Sequence, residues 1–214
     1  MVERSVHIGK VSGSSPLVAT RVTLENMMKK FGSFILEFVQ SIVLALSVFV
    51  VLYLFVAQPN EVKGSSMIPN FIDGEFVLTE KISYQFGEPK HGDVVIFRAP
   101  ASEPCAEDQC EYIKRVVGVP GDRVMVKDGE VYLNGKMLDQ DFLPAGLVSS
   151  SGTYSEEGVE KTVPEGMYLC FGDNRPGSRD GREFGPIKKD LIVGKAFFKY
   201  WPISSAGLIS TVSF

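Results

Sequence analysis

Residues 61–70 read EVKGSSMIPN: two adjacent serines, a methionine, and a proline two positions further on, just after a long apolar run. A serine hydroxyl becomes a nucleophile only where a base takes its proton, so the chemistry open to Ser65 or Ser66 depends on the bases the chain holds. There are two histidines. His7 precedes the apolar run, and His91 lies in the turn sequence PKHGD, where solvating a loop is an ordinary role. A Ser-His-Asp arrangement therefore has poor support. GxSxG is absent because Met67 and Ile68 follow Ser66, and Pro69 stands where an S-x-x-K pair needs its lysine.

A lysine is the remaining base. Its ordinary pKa of about 10.4 makes it a poor one at neutral pH, unless removal from water favours the neutral amine. Lys90, Lys127, Lys161, Lys188 and Lys189 have charged or turn-like surroundings. Lys114 lies instead in EYIKRVVGVPGD, among apolar and β-branched residues. On a strand, Tyr112, Lys114 and Val116 share one face while Ile113, Arg115 and Val117 share the other. Facing a core, Lys114 could accept a serine proton; on an edge strand it would only deter aggregation.

The elements that must position these residues divide the chain in two. Of the 214 residues 44% are hydrophobic and 22% charged, and the net charge of -4 argues against nucleic acid as a partner. From Phe38 to Asn60 no residue is charged. As a helix this stretch would be roughly 34 Å long, enough to cross the hydrocarbon core of a bilayer. A cleaved signal peptide fits less well, since a long segment precedes the run and QPNEV is no small-x-small cleavage site. Lys29 and Lys30 lie before the run and Glu61 is the first charge after it, which places the N-terminus in the cytoplasm. The expected division is a cytoplasmic tail over 1–33, a transmembrane helix over 34–60 and an extracytoplasmic domain over 61–214. Residues 1–22 read as a flexible tail, and 24–36 as a short amphipathic helix.

The outer domain is expected to be mainly β. EFVLTEKI, DVVIFRA, YIKRVVGV, RVMV, EVYL, MYLCF and KAFFKYW read as strands, separated by turn pairs such as Asp128-Gly129 and Asn134-Gly135. Residues 141–161, rich in Ser, Gly and Glu, read as a mobile surface excursion.

VKGSSMIPNF, DVVIFRAP, YIKRVVGVPGD and GDNRPGSRDGREFGPI, in this order after an N-terminal span, resemble the signature boxes of bacterial type I signal peptidases. The resemblance implies a membrane-anchored β catalytic domain, related in fold to LexA-like proteins, with a serine-lysine dyad and no cofactor or metal. It implies the dyad Ser66 and Lys114, with Ser178 hydrogen-bonded to the lysine amine and Asp180 and Arg182 bracing the site as an ion pair. It further implies cleavage of signal peptides from exported preproteins after small residues, of the Ala-x-Ala type, on the outer face of the cytoplasmic membrane. The partners would then be signal peptides and the lipid bilayer, and the enzyme a monomer. Six residues past the expected end of the span, Ser66 would lie near the bilayer surface. Gly64 stands where some relatives place a serine that helps bind the oxyanion, which leaves the Ser66 N–H and a second main-chain donor or water. Met67, Ile68 and Val117 are candidate pocket walls.

Cys105 and Cys110 could close a small disulfide loop or remain thiols, while Cys170 reads as a buried thiol. LexA-like repressors share the dyad but not the membrane span. A silent membrane-anchored module that binds peptides is the alternative of another class.

Overall fold

The structure, a computed structural model, describes residues 16–104 and 110–214. Two units separate, residues 1–50 and residues 51–214. In the first, the described residues are helical. Helix α1, Pro16–Phe55, is a single element of 40 residues that takes in residues 16–22 of the expected tail, the expected short helix and most of the span; residues 1–15 of the expected tail lie outside the described residues. Within it Asn26–Tyr53 has a mean hydropathy of 2.4 over its most apolar window and no buried share, so it is long and apolar enough to cross a membrane. Its serines leave no hydroxyl unmet: Ser41 Oγ donates to the Glu37 carbonyl at 2.9 Å and Ser47 Oγ to that of Val43 at 2.8 Å.

The helix ends at Phe55, short of the expected Asn60, because the next residues pair as a strand. The second unit contains β1 (Ala57–Glu61), β2 (Phe76–Glu80), a one-turn helix α2 (Ser83–Phe86), β3 (Val94–Arg98), β4 (Glu111–Gly118), β5 (Arg123–Lys127), β6 (Glu130–Leu133), β7 (Lys136–Met137), β8 (Lys161–Thr162), β9 (Met167–Phe171), α3 (Gly181–Phe184), β10 (Ile187–Lys188), β11 (Ile192–Trp201) and β12 (Gly207–Leu208). The larger sheet runs β1-β2-β11-β3-β4-β9-β10, with β12 on β11, and the smaller runs β7-β6-β5-β8. Every ladder is antiparallel. The domain is mainly β, as expected.

Local sequence explains the hairpins. Asp128 and Gly129 both take positive φ (52° and 81°), as do Asn134 and Gly135 (52° and 78°), the geometry that matches a tight turn to the twist of its strands. Strand β4 matters most for the site. It lies between β3 and β9, with Val95 opposite Lys114 and Val94 opposite Arg115. Both of its faces are covered: Ile113 belongs to one apolar cluster with Met67, Phe71 and Val94, while Val116, on the other face, joins another with Val95 and Phe97. At Lys114 itself β4 pairs only with β3, but the lysine side chain is buried at 4% exposure, which removes the solvent-facing edge-strand explanation for it.

Residues 141–160 carry no named strand or helix until β8, yet they are tied down. Ser149 Oγ accepts from Arg175 Nη1 at 3.0 Å, the Ser150 carbonyl from Arg182 Nη1 at 3.1 Å, and the Tyr154 N–H donates to the Arg182 carbonyl at 2.8 Å. Hydrogen bonding that composition does not announce replaces the expected mobile excursion with a buttress. Cys170 is a free, buried thiol and Cys110 is disulfide-bonded. Cys105 lies outside the described residues.

Candidate active site

The serine turn is fastened by its apolar residues. Met67 and Phe71 sit in the core at 1% and 3% exposure, and the Phe71 N–H closes the turn on the Met67 carbonyl at 2.9 Å. Ser66, immediately before this anchor, is half-buried, whereas Ser65 is exposed. Upstream, Gly64 has φ of +84°, a conformation that favours glycine, and its N–H donates to Asp73 Oδ1 at 2.6 Å.

The Lys114 Nζ meets this turn from strand β4. It donates to Ser66 Oγ at 2.7 Å and to the Ile113 carbonyl at 3.0 Å, with the side chain buried. Burial pulls the ammonium pKa from 10.5 down to about 8, against an opposing pull from the Asp180 and Asp173 carboxylates. An amine so placed is neutral in a useful fraction of molecules near neutral pH, and its lone pair can then accept a proton from a neighbouring hydroxyl. The geometry suits general-base chemistry on Ser66.

The Gly-rich segment after β9 walls the site. Asp180 accepts two bonds from the Arg182 guanidinium, at 2.9 and 2.8 Å, and one from the Gly172 N–H at 2.9 Å. Arg182 also donates to the carbonyls of Arg175 and Ser178. The expected ion pair is therefore present, and it cross-links its own loop. Ser178 differs. Its Oγ is buried but has no hydrogen-bond partner among the described residues, so the expected bond to the lysine amine is missing. Gly172 lies between: a Cβ there would stand 2.1 Å from Ser178 Oγ and 2.5 Å from the Ser66 carbonyl oxygen. Only glycine lets the serine turn and the Ser178 loop approach so closely.

Several supporting residues escape sequence reasoning. Arg115, next to Lys114, forms a two-bond pair with Asp173 at 2.9 and 2.7 Å, and both side chains are buried. Asn70 donates to the same carboxylate at 2.9 Å, and the Asp173 N–H reaches Met67 Sδ at 3.5 Å. Asn174 donates from its N–H to the Ser66 carbonyl and from its side chain to that of Ser65, both at 3.0 Å. The tetrapeptide GDNR was a signal for these, but it reads as a polar turn until its partners are known. His91 is engaged elsewhere, 2.6 Å from Asp122 in the turn after β4.

Beside the dyad runs a groove of about 640 Å³, lined by Pro59, Asn60, Ile96, Tyr112, Ile113 and Arg179 among others, with Ser66 and Lys114 on its wall. The pocket candidates fare unevenly. Met67 and Val117 are core residues at 1% and 0% exposure, and Val117 points to the face opposite the dyad. Ile68 is 39% exposed and does not line the groove. Ile113 and Ile96 are the apolar groove residues that the sequence did not single out.

A model of the family described as signal peptidase, peptidase S26, matches residues 35–201. Signal peptidase IB of Staphylococcus aureus is 37% identical over 181 residues, covering 79% of this chain and 91% of that protein. A probable signal peptidase I-2 of Synechocystis is 33% identical over 175 residues, covering 82% of this chain and 77% of the relative. A solved signal peptidase I from Enterococcus faecalis is 29% identical, with a TM-score of 0.40 and coverage of 50% of this chain and 96% of that one. The serine turn, the interior lysine and the Gly-rich wall all fall inside the matched stretch, and the chain belongs to the signal peptidases of family S26, as a bacterial type I enzyme.

Proposed function

We propose that this chain is a membrane-anchored serine endopeptidase that removes signal peptides from preproteins by a Ser66–Lys114 dyad, cutting after small residues of the Ala-x-Ala type. The observation that carries the reading is the 2.7 Å approach of a buried lysine amine, with its pKa pulled down to about 8, to the hydroxyl of Ser66. Neutral Lys114 takes the Ser66 proton as the oxygen attacks the scissile carbonyl. The resulting ammonium then protonates the departing amine. A water deprotonated by the same amine cleaves the acyl-enzyme and restores the serine. The Ser66 N–H, which donates to no group among the described residues, is the donor for the oxyanion.

Two backbone edges that are unpaired among the described residues support an extended substrate. Strand β1 ends its sheet, and β4 pairs with β9 only from Arg115 onward, which leaves Glu111 to Lys114 open on that side. Both stretches line the groove. A peptide laid between them gains main-chain hydrogen bonds and turns alternate side chains, P1 and P3, to one wall. The helix Pro16–Phe55 anchors the enzyme with its N-terminus in the cytoplasm, and residues from 57 onward then face outward, where a signal peptide's cut site emerges.

Cleavage of a preprotein by the purified full chain, with the cut mapped and P1 or P2 enlarged from Ala to Phe, tests this. Cutting after Ala-x-Ala that is lost with Phe at P1 and kept with Phe at P2 is expected. Indifference at P1 with dependence on P2 would contradict the extended-strand reading.

A further inference from the structure

The nucleophile's backbone is held from both ends. Upstream, Asp73 Oδ1 accepts from the Gly64 N–H at 2.6 Å. Downstream, the Asn174 N–H donates to the Ser66 carbonyl at 3.0 Å. Between these restraints lies the Ser65–Ser66 peptide group, a rigid plane that carries the Ser65 carbonyl on one side and the Ser66 N–H on the other. The Asn174 side-chain amide donates to that carbonyl at 3.0 Å. Among the described residues this amide has no other partner, and it makes no capping bond to the 3₁₀ turn Arg175–Gly177 that it precedes. Glycine at 177 leaves it room, since a Cβ there would stand 2.5 Å from Asn174 Nδ2.

We propose that Asn174 is a positioning residue for the oxyanion, acting through the Ser65–Ser66 peptide, and this rests on Ser66 being the nucleophile. A hydrogen bond donated to a peptide carbonyl fixes the rotation of its plane and polarises the opposite N–H, which strengthens that N–H as a donor. Gly64 offers no hydroxyl to share the oxyanion, so the aim and strength of the main-chain donor carry more of the stabilisation. The contribution appears where the carbonyl becomes tetrahedral and not in ground-state binding. Lys114 is not contacted by Asn174, so its titration should be untouched.

The test compares the wild-type full chain in detergent with Asn174→Ala and Asn174→Leu on a preprotein substrate. Both variants keep the main-chain bond to the Ser66 carbonyl, and Leu keeps the branched side-chain shape without a donor and without adding a charge near Lys114. Losing a whole oxyanion donor costs about a hundredfold or more in kcat, so losing its support is expected to cost roughly tenfold. KM and the acid limb of the pH profile should stay in place. Affinity for a peptide aldehyde, which forms a tetrahedral adduct on the serine, should fall by the same factor. Affinity for an uncleavable peptide with Pro at P1′ should not. Unchanged kcat in both variants, a loss confined to KM and to the uncleavable peptide, or a displaced pH limb would each overturn the proposal. A Ser66→Ala protein that still cleaves would remove the nucleophile reading itself. A dead Ser66→Ala beside a normal Asn174→Ala would overturn only the role of Asn174.

Discussion

The pH dependence of cleavage follows from the placement of Lys114. An ordinary lysine with a pKa of 10.5 would be neutral in about 0.03% of molecules at pH 7, whereas a pKa of about 8 makes that about 9%. Burial therefore multiplies the competent fraction by about 300. The same shift corresponds to about 3 kcal/mol of destabilisation of the charged form. Its sign for folding is set by linkage: the unfolded chain holds this proton up to about pH 10.5 and the folded one only to about 8. Stability thus carries the full penalty below pH 8, and the penalty is relieved between pH 8 and 10.5. The perturbation is a pH series from 5.5 to 10.5 (on the order of the two pKa values) on wild type and Lys114→Met, assayed by preprotein cleavage and by chemical denaturation. The wild-type kcat/KM should rise about tenfold per unit below a limb near 8 and level off above it. Lys114→Met should be inactive and, at pH 7, more stable than wild type by up to about 3 kcal/mol, with the difference vanishing by about pH 10.5. A limb near 10, or an activity independent of pH, would refute the reasoning.

Other perturbations act on the walls of the site. Asp180 is the strongest influence holding the Lys114 pKa up, so Asp180→Asn should move the acid limb below 8, and an upward shift in the same pH profile would count against this account. Gly172→Ala forces a Cβ to 2.1 Å from Ser178 Oγ and 2.5 Å from the Ser66 carbonyl, so cleavage should fall by about a hundredfold while the far-UV spectrum stays native; near-normal turnover would show that the loop can yield. Asp173→Asn leaves the buried Arg115 guanidinium without its counter-charge and should cost about 3–5 kcal/mol in a denaturation titration, a loss that a surface pair would not show.

The structure and the sequence agree where causes are local. Asp128-Gly129 and Asn134-Gly135 announce their hairpins because turn chemistry acts over a few residues. The alternation around Lys114 gave its face but not its neighbours, and the pairing with β3 and the serine turn laid over the amine decide that it is buried. By the same alternation Val117 lies on the face away from Lys114, so its naming as a pocket wall conflicted with the strand pattern. Strand β1 was hidden because Gln58, Pro59 and Asn60 carry no charge and extend the apolar run, while their pairing with β2 is long-range. Arg115 and Asp173 lie 58 positions apart, and no local pattern joins them. Ser178 shows the limit of resemblance: its residue type and position match, but its hydroxyl stops short of the amine.

The central claim is that Ser66, held 2.7 Å from Lys114, is the nucleophile and its exposed neighbour Ser65 is not. Cleavage of a preprotein by Ser66→Ala and Ser65→Ala in the full chain, each checked for folding, tests it most directly. Ser66→Ala should show no cut above background, and Ser65→Ala should keep substantial activity at the same mapped bond. An active Ser66→Ala beside an inactive Ser65→Ala would contradict the account.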